Sequence, residues 1–258
     1  MRSLGNHFVL LCRRMEPRVA LITGGARGIG RAVAVALAHR GWAVATSYRT
    51  SREQAKSLES ELKGTAAGVL VLHADLSDPA SAEELVRRTE AGFGRIDALI
   101  NCAGSYHRRP VLEESNQDWH AMFDDNLHPV FYLSRAAAPG MIARKWGRII
   151  NFSIAKADQL VGQPFITAHY IAKVGVLILT RSLAKMLAPH GITVNSISPG
   201  FIETGGAPQE EFAQLTKNIP AGHTGSPQDA VSVVCYLLSE EAAYINGTNV
   251  HLSGGWGI

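Results

Sequence analysis

The chain has 258 residues, 46% of them hydrophobic and 18% charged, with a formal net charge of +3. That apolar content excludes disorder, and three widely spaced cysteines, Cys12, Cys102 and Cys235, exclude a disulfide scaffold. The mild charge, without any long Lys/Arg run, argues against a nucleic-acid partner; no apolar stretch approaches the ~18 residues of a membrane helix, and no Cys/His cluster has metal-ligand spacing.

Residues 1–14 have a positive start and a short apolar run that ends in Arg13-Arg14. The run is too short for a signal peptide and lacks its cleavage site. These residues read as a disordered extension, and residues 15–258 as the folded domain of a cytoplasmic protein. From there strands and helices alternate. Residues 18–23 form an apolar strand, 28–40 an Ala/Val-rich helix and 42–48 a second strand. Residues 51–63 are an amphipathic helix with Ser51 at its N-cap, followed by a strand at 68–73. A helix at 79–91 begins with Pro79, where a missing N–H costs nothing. After a strand at 96–101, residues 118–145 read as one long helix bent near Pro129. Residues 148–153 are the fifth strand, 165–187 a long helix and 192–197 the sixth strand. A segment rich in Gly and Pro follows, with Gly205, Gly206, Pro208, Pro220, Gly222 and Gly225. A helix at 227–238 and a strand at 249–252 close the chain.

Strands of five or six apolar residues alternating with helices predict a parallel sheet covered on both faces. The expected fold is one α/β domain, a doubly wound Rossmann sheet of seven parallel strands. Its ligand crevice lies at the carboxyl ends of the strands.

The first strand runs into Thr23-Gly24-Gly25-Ala26-Arg27-Gly28-Ile29-Gly30. Glycines at this spacing, between a strand and a helix, let the backbone approach a pyrophosphate seated on the helix N-terminus. The second strand ends in Ser47-Tyr48-Arg49. No acidic residue occurs there to hold ribose hydroxyls, whereas Arg27 and Arg49 offer guanidinium groups to a 2′-phosphate. The same residues in a bland reading are a tight turn and two solvated arginines.

These residues and several others resemble the short-chain dehydrogenase/reductase family along nearly the whole chain, most nearly its bacterial β-ketoacyl-carrier reductases. Gly24, Arg27, Gly28, Ile29 and Gly30 match its glycine turn. Asp75-Leu76 resembles its adenine contact, and Asn101-Cys102-Ala103-Gly104 its Asn-Asn-Ala-Gly motif. Asn126 resembles its active-site Asn. Pro199-Gly200-Phe201-Ile202-Glu203-Thr204 resembles the segment that closes over the nicotinamide. The resemblance implies NADP(H) as cofactor, held by these residues together with Tyr48, Arg49, Ala103 and Gly104. It also implies a homo-oligomer, tetramer or dimer.

The active-site region departs from the family. The family carries Tyr-x3-Lys on the long helix and a Ser after the fifth strand. Lys173 matches the Lys, but four residues before it stands His169, and Tyr170 is only three before it. Positions i+3 and i+4 share a helix face, so either can reach the site. The family's phenol chemistry favours Tyr170. His169 offers an imidazole whose ordinary pKa would make the rate fall above about pH 6.5. Counting from Gly147 places Ile154 where the family has its Ser, with Ser153 one residue early. The expected catalytic set is Asn126, Ser153, His169 or Tyr170, and Lys173.

What the resemblance implies is NADPH-dependent reduction of a ketone. Substrate would be a ketoacyl thioester, free or carrier-bound, a polyketide-type ketone or a small carbonyl compound. A pteridine substrate, or a NADPH-binding sensor without turnover, are the alternatives. Specificity is expected from residues 201–225 and 105–114, the latter including Arg108 and Arg109.

Overall fold

A computed structural model describes residues 16–204 and 216–258. The expectation for residues 1–14, and Gly205, Gly206 and Pro208 of the irregular segment, lie outside the described residues.

The sheet has seven strands: β1 (Val19–Ile22), β2 (Ala43–Tyr48), β3 (Gly68–His73), β4 (Ala98–Asn101), β5 (Gly147–Phe152), β6 (Ile192–Pro199) and β7 (Asn249–Leu252). Their order is β3-β2-β1-β4-β5-β6-β7, and every pair is parallel. The winding reverses between β1 and β4, where Ile22 pairs with Thr46 on one side and Ile100 on the other. That switch point opens the crevice at the carboxyl ends of these strands.

Helices α1 (Gly28–His39), α2 (Arg52–Leu62) and α7 (Pro227–Leu238) cover one face. Val33, Leu37, Leu58, Val234 and Leu238 pack there against Ile22, Ile100 and Ile150. Helices α3 (Pro79–Phe93), α5 (His128–Arg144) and α6 (Thr167–Leu187) cover the other, with Leu85, Leu133, Met141 and Leu187 against Leu21, Leu99 and Ile149. Central strands buried on both faces explain why β1 and β4 read as unbroken apolar runs rather than alternating ones.

Local signals set the helix ends. The Asp78 carboxylate accepts from the backbone N–H of Ala80 and Ser81 at the start of α3, and Gly94 (φ 77°) closes it. Ser226 and Asp229 form a reciprocal capping box on α7. Ser51 sits at the N-cap of α2 but its side chain makes no capping bond.

The long helix expected over 118–145 is two helices. The first, α4 (Asn116–Asn126), ends at Leu127, and α5 begins at His128. Pro129 has no N–H to give the carbonyl of Asp125, and its ring crowds that carbonyl, so a continuous helix is broken there. The break leaves Asp125 and Asn126 at the last turn of α4, beside the crevice. Strand β6 runs two residues past its expected end and carries the chain to Gly200 at the rim.

Candidate active site

A cavity of about 550 Å³ occupies the switch point. The glycine turn forms its floor through Gly24, Arg27, Gly28, Ile29 and Gly30. Tyr48 and Arg49 from the end of β2 form one wall, and Leu76, Ala103 and Gly104 another. Thr204 reaches in from above. A side chain at position 30 could not exist: its Cβ would lie 2.6 Å from the Gly24 carbonyl. The turn is therefore packed backbone on backbone, with the N-terminus of α1 aimed into the cavity. Thr23 fixes the opposite lip, its hydroxyl accepting from the N–H groups of Cys102 and Ala103, both at 3.0 Å.

The glycine turn meets the geometry a dinucleotide needs, a wall-free approach to helix N–H groups. Arg27 pairs with no described acid and faces the cavity. Arg49 does not stand free. Its guanidinium donates to both oxygens of Asp125, at 2.7 and 3.2 Å, and lies 3.7 Å from Asp75. Asp125 was not among the sequence candidates, because only the fold brings it 76 residues back onto Arg49. Asp75 accepts from the N–H and hydroxyl of Ser77, and these bonds, ahead of Arg49, hold its carboxyl below the usual range.

Deeper in, side chains from α4 and α6 converge on Gly104 and Ser105. The Asn126 amide donates to the carbonyls of Ser105 and Met122, both at 3.0 Å, while its own buried Oδ1 has no protein partner. A Cβ on Gly104 would stand 2.6 Å from that Oδ1 and 3.4 Å from Lys173 Nζ, so only glycine leaves room for both groups. Lys173 is buried and donates to the Phe152 carbonyl at 2.9 Å. Burial, slightly offset by neighbouring Cys102, pushes its pKa down to about 8. The same burial pushes the Cys102 thiol up to about 12, so it is no nucleophile at neutral pH.

His169, one turn before Lys173, turns into this cluster. Its ring meets Tyr106 edge to face, with centroids 5.2 Å apart, and hydrogen-bonds the backbone of Ser105. Its Nδ1 is buried without a partner. Burial first, then the charge of Lys173, pushes its pKa down to about 3, so the imidazole is neutral at physiological pH. The fall in rate above pH 6.5 expected for a histidine donor therefore does not apply to this environment.

Tyr170, the sequence preference for proton donor, is placed elsewhere. Its ring packs with Ala157 and Leu177, bordered by Ile154 and Val174. Its hydroxyl donates to the Lys156 carbonyl at 2.6 Å and accepts from the Val161 N–H at 3.2 Å. The phenol is spent on shaping the loop that links β5 to α6. Ser153 is spent in the same way, its hydroxyl donating to the Lys173 carbonyl at 2.8 Å. Neither hydroxyl joins the cluster at Ser105, and half-buried Ile154 offers none.

Some expected cofactor contacts also have structural partners. The Asn101 side chain is buried in the sheet and donates to Asn151, 2.8 Å away, which in turn donates to Thr180 on α6. Of residues 199–204, only Thr204 lines the cavity. Pro199 pairs with Leu252, the Gly200 N–H donates to the Leu252 carbonyl, and Ile202 bridges Gly225. They position the segment rather than line the cavity.

Comparison with known proteins agrees with this geometry. The family model described as enoyl-(acyl carrier protein) reductase matches residues 24–257. The 3-oxoacyl-acyl-carrier-protein reductase FabG of Staphylococcus aureus is 35% identical over 239 residues, covering 92% of this chain and 96% of that one. The Escherichia coli FabG is 35% identical over 243 residues, covering 93% and 97%. A solved structure titled as a putative short-chain alcohol dehydrogenase from Sinorhizobium meliloti superposes with a TM-score of 0.86 at 32% identity, covering 93% and 96%. The chain belongs to the short-chain dehydrogenase/reductase family. As such it is an oxidoreductase of carbonyl or alcohol groups that works with a nicotinamide cofactor.

Proposed function

We propose that the chain is an NADPH-dependent ketone reductase in which His169, not Tyr170, faces the substrate oxygen. The observation that carries this reading is the convergence of His169, Lys173 and Asn126 on Gly104 and Ser105, next to the glycine-floored cavity. The glycine turn would seat the pyrophosphate, Arg27 and Arg49 the 2′-phosphate, and Lys173 with Asn126 the nicotinamide end. Bound there, the cofactor supplies a hydride to the carbonyl carbon. When substrate binds, the single N–H of the neutral His169 imidazole would turn from the Ser105 backbone to the substrate carbonyl oxygen and give it a proton as negative charge develops. Lys173, one turn away and holding its proton below about pH 8, restores that proton to the imidazole. A neutral imidazole serving as electrophile has a precedent among isomerases.

The substrate would be a ketoacyl thioester, carrier-bound or free, or a small carbonyl compound. Among the described residues Tyr106, Leu112 and Phe165 expose apolar surface at the rim, and Arg108 lies over the Phe165 ring, which suits an apolar chain ending in an anionic group. No described helix is long and apolar enough to cross a membrane. Exposed Phe131 on α5 and Ile171, Ile178 and Met186 on α6 support a homo-oligomer. The test is loss of NADPH absorbance with an acetoacetyl thioester and with an activated ketone. Turnover that vanishes in His169→Ala and survives in Tyr170→Phe supports the reading. Cofactor binding without turnover of any ketone overturns it.

A further inference from the structure

We propose that Asp125 is a cofactor-selectivity residue: reaching from the last turn of α4, its carboxylate masks the Arg49 guanidinium and weakens the preference for a 2′-phosphorylated dinucleotide. The inference rests on the proposed role of Arg49 as a phosphate ligand. In this fold the carboxylate that disfavours a 2′-phosphate is expected at the end of β2. Here the end of β2 carries Arg49 instead, and the acid arrives from a different element.

The geometry is that of a satisfied guanidinium. Two of its N–H groups already bond Asp125, in the forked arrangement that carboxylates and phosphates share. Asp75 adds a second carboxylate at 3.7 Å. One positive charge at the cavity wall thus faces two negative ones. An incoming phosphate must displace Asp125 from the fork or sit beside it, and either route meets like-charge repulsion. A ribose hydroxyl carries no charge and meets none of this, and it can donate to the carboxylate. Arg49 is about half exposed, so water screens the pair, which is weak enough for a phosphate to open. The mask therefore trims the preference rather than abolishing it. A residual repulsion between two charges some 6 Å apart at a partly exposed site corresponds to roughly tenfold in affinity.

The experiment measures dissociation constants of NADPH and NADH, without substrate, by quenching of intrinsic fluorescence. The proteins are the unmodified chain, Asp125→Asn, Arg49→Ala and the double variant. Asp125→Asn should tighten NADPH about tenfold and change NADH by less than about twofold. In the Arg49→Ala background, Asp125→Asn should still tighten NADPH through the lost carboxylate–phosphate repulsion, but by less, because no guanidinium is left to unmask. Equal tightening of both cofactors, or none for NADPH, overturns the inference. If Arg49→Ala leaves the ratio of the two constants untouched, the phosphate role of Arg49 fails and the inference falls with it. If Arg49→Ala collapses the ratio but Asp125→Asn does not raise it, only the masking fails. Thermal melts of each variant, with Asp125→Ala as a second substitution, separate a folding defect from a change in binding.

Discussion

Replacing His169 with Asn should make the protein less sensitive to acid. In the folded chain burial and Lys173 hold the imidazole pKa near 3, whereas an unfolded chain leaves it near its ordinary value of about 6.5. A depressed folded pKa contributes stability that is present above the unfolded value and is lost as pH falls toward the folded one. The window therefore runs from about pH 6.5 down to about pH 3. At about pH 5 the unfolded chain gains a proton that the folded chain refuses. The cost is about 1.5 pH units at roughly 1.4 kcal/mol each, or about 2 kcal/mol. The groups that face the ring are Lys173, His107, the Ser105 backbone and the edge of Tyr106. Lys173 is protonated in both states over this range and adds little to the difference.

The assay is urea unfolding at about pH 7.5 and about pH 5, at one protein concentration, because assembly would shift the midpoint. The unmodified chain should lose about 2 kcal/mol more than His169→Asn between the two conditions. All other titrating groups are common to both proteins and cancel. Equal losses would refute the placement of a neutral His169 in the cluster. His169→Gln serves as a second variant if Asn does not fill the site.

Turnover by the unmodified chain should fall as pH rises through about 8, where Lys173 gives up the proton that replenishes His169; a decline already centred near pH 6.5 would contradict the placement. Tyr170→Phe should retain most of kcat but lose about 1–2 kcal/mol of stability, since the Lys156 carbonyl and Val161 N–H lose a buried partner; melting and steady-state rates check both halves. Gly104→Ala should cut kcat/KM by about a hundredfold with a modest change in melting temperature, because its Cβ would push Asn126 and crowd Lys173 rather than disturb the core.

Much of this was legible in the sequence because it is local. The glycine turn, the apolar strands and Lys173 with its flanking residues each announce themselves within a few positions. The one cap read this way, Ser51, stands at the N-cap of α2 without a capping bond. The choice between His169 and Tyr170 is not local. Both share a helix face with Lys173, and what separates them is the loop at 156–161, whose carbonyl and N–H capture the phenol. Asp125, on α4, was illegible for the same reason, since its partner Arg49 follows β2, 76 residues away. The break at Leu127 was seen as a bend, and its consequence for Asp125 and Asn126 needed the three-dimensional register of α4.

The two departures from the family pattern form one physical change. Ile154 stands where a serine hydroxyl is expected and packs beside the Tyr170 ring, in the same small cluster as Ala157 and Leu177. An apolar residue there favours turning the aromatic ring toward it, and the phenol follows its ring to the loop backbone. What remains polar in the crevice belongs to the opposite wall. The Ser105 carbonyl is shared by Asn126 and His169, and Tyr106 lies against the imidazole. Residues 104–106 thereby join the groups around His169 and Asn126 to the exposed part of the loop. Further along the same loop, the Arg109 N–H donates to the Phe165 carbonyl at 2.8 Å, and the Val111 N–H to the Pro164 carbonyl at 2.9 Å. A substrate that pressed on Tyr106 or Leu112 would act on the backbone that holds His169 and Asn126. If His169 acts as proposed, substitutions along this loop should alter kcat as well as KM.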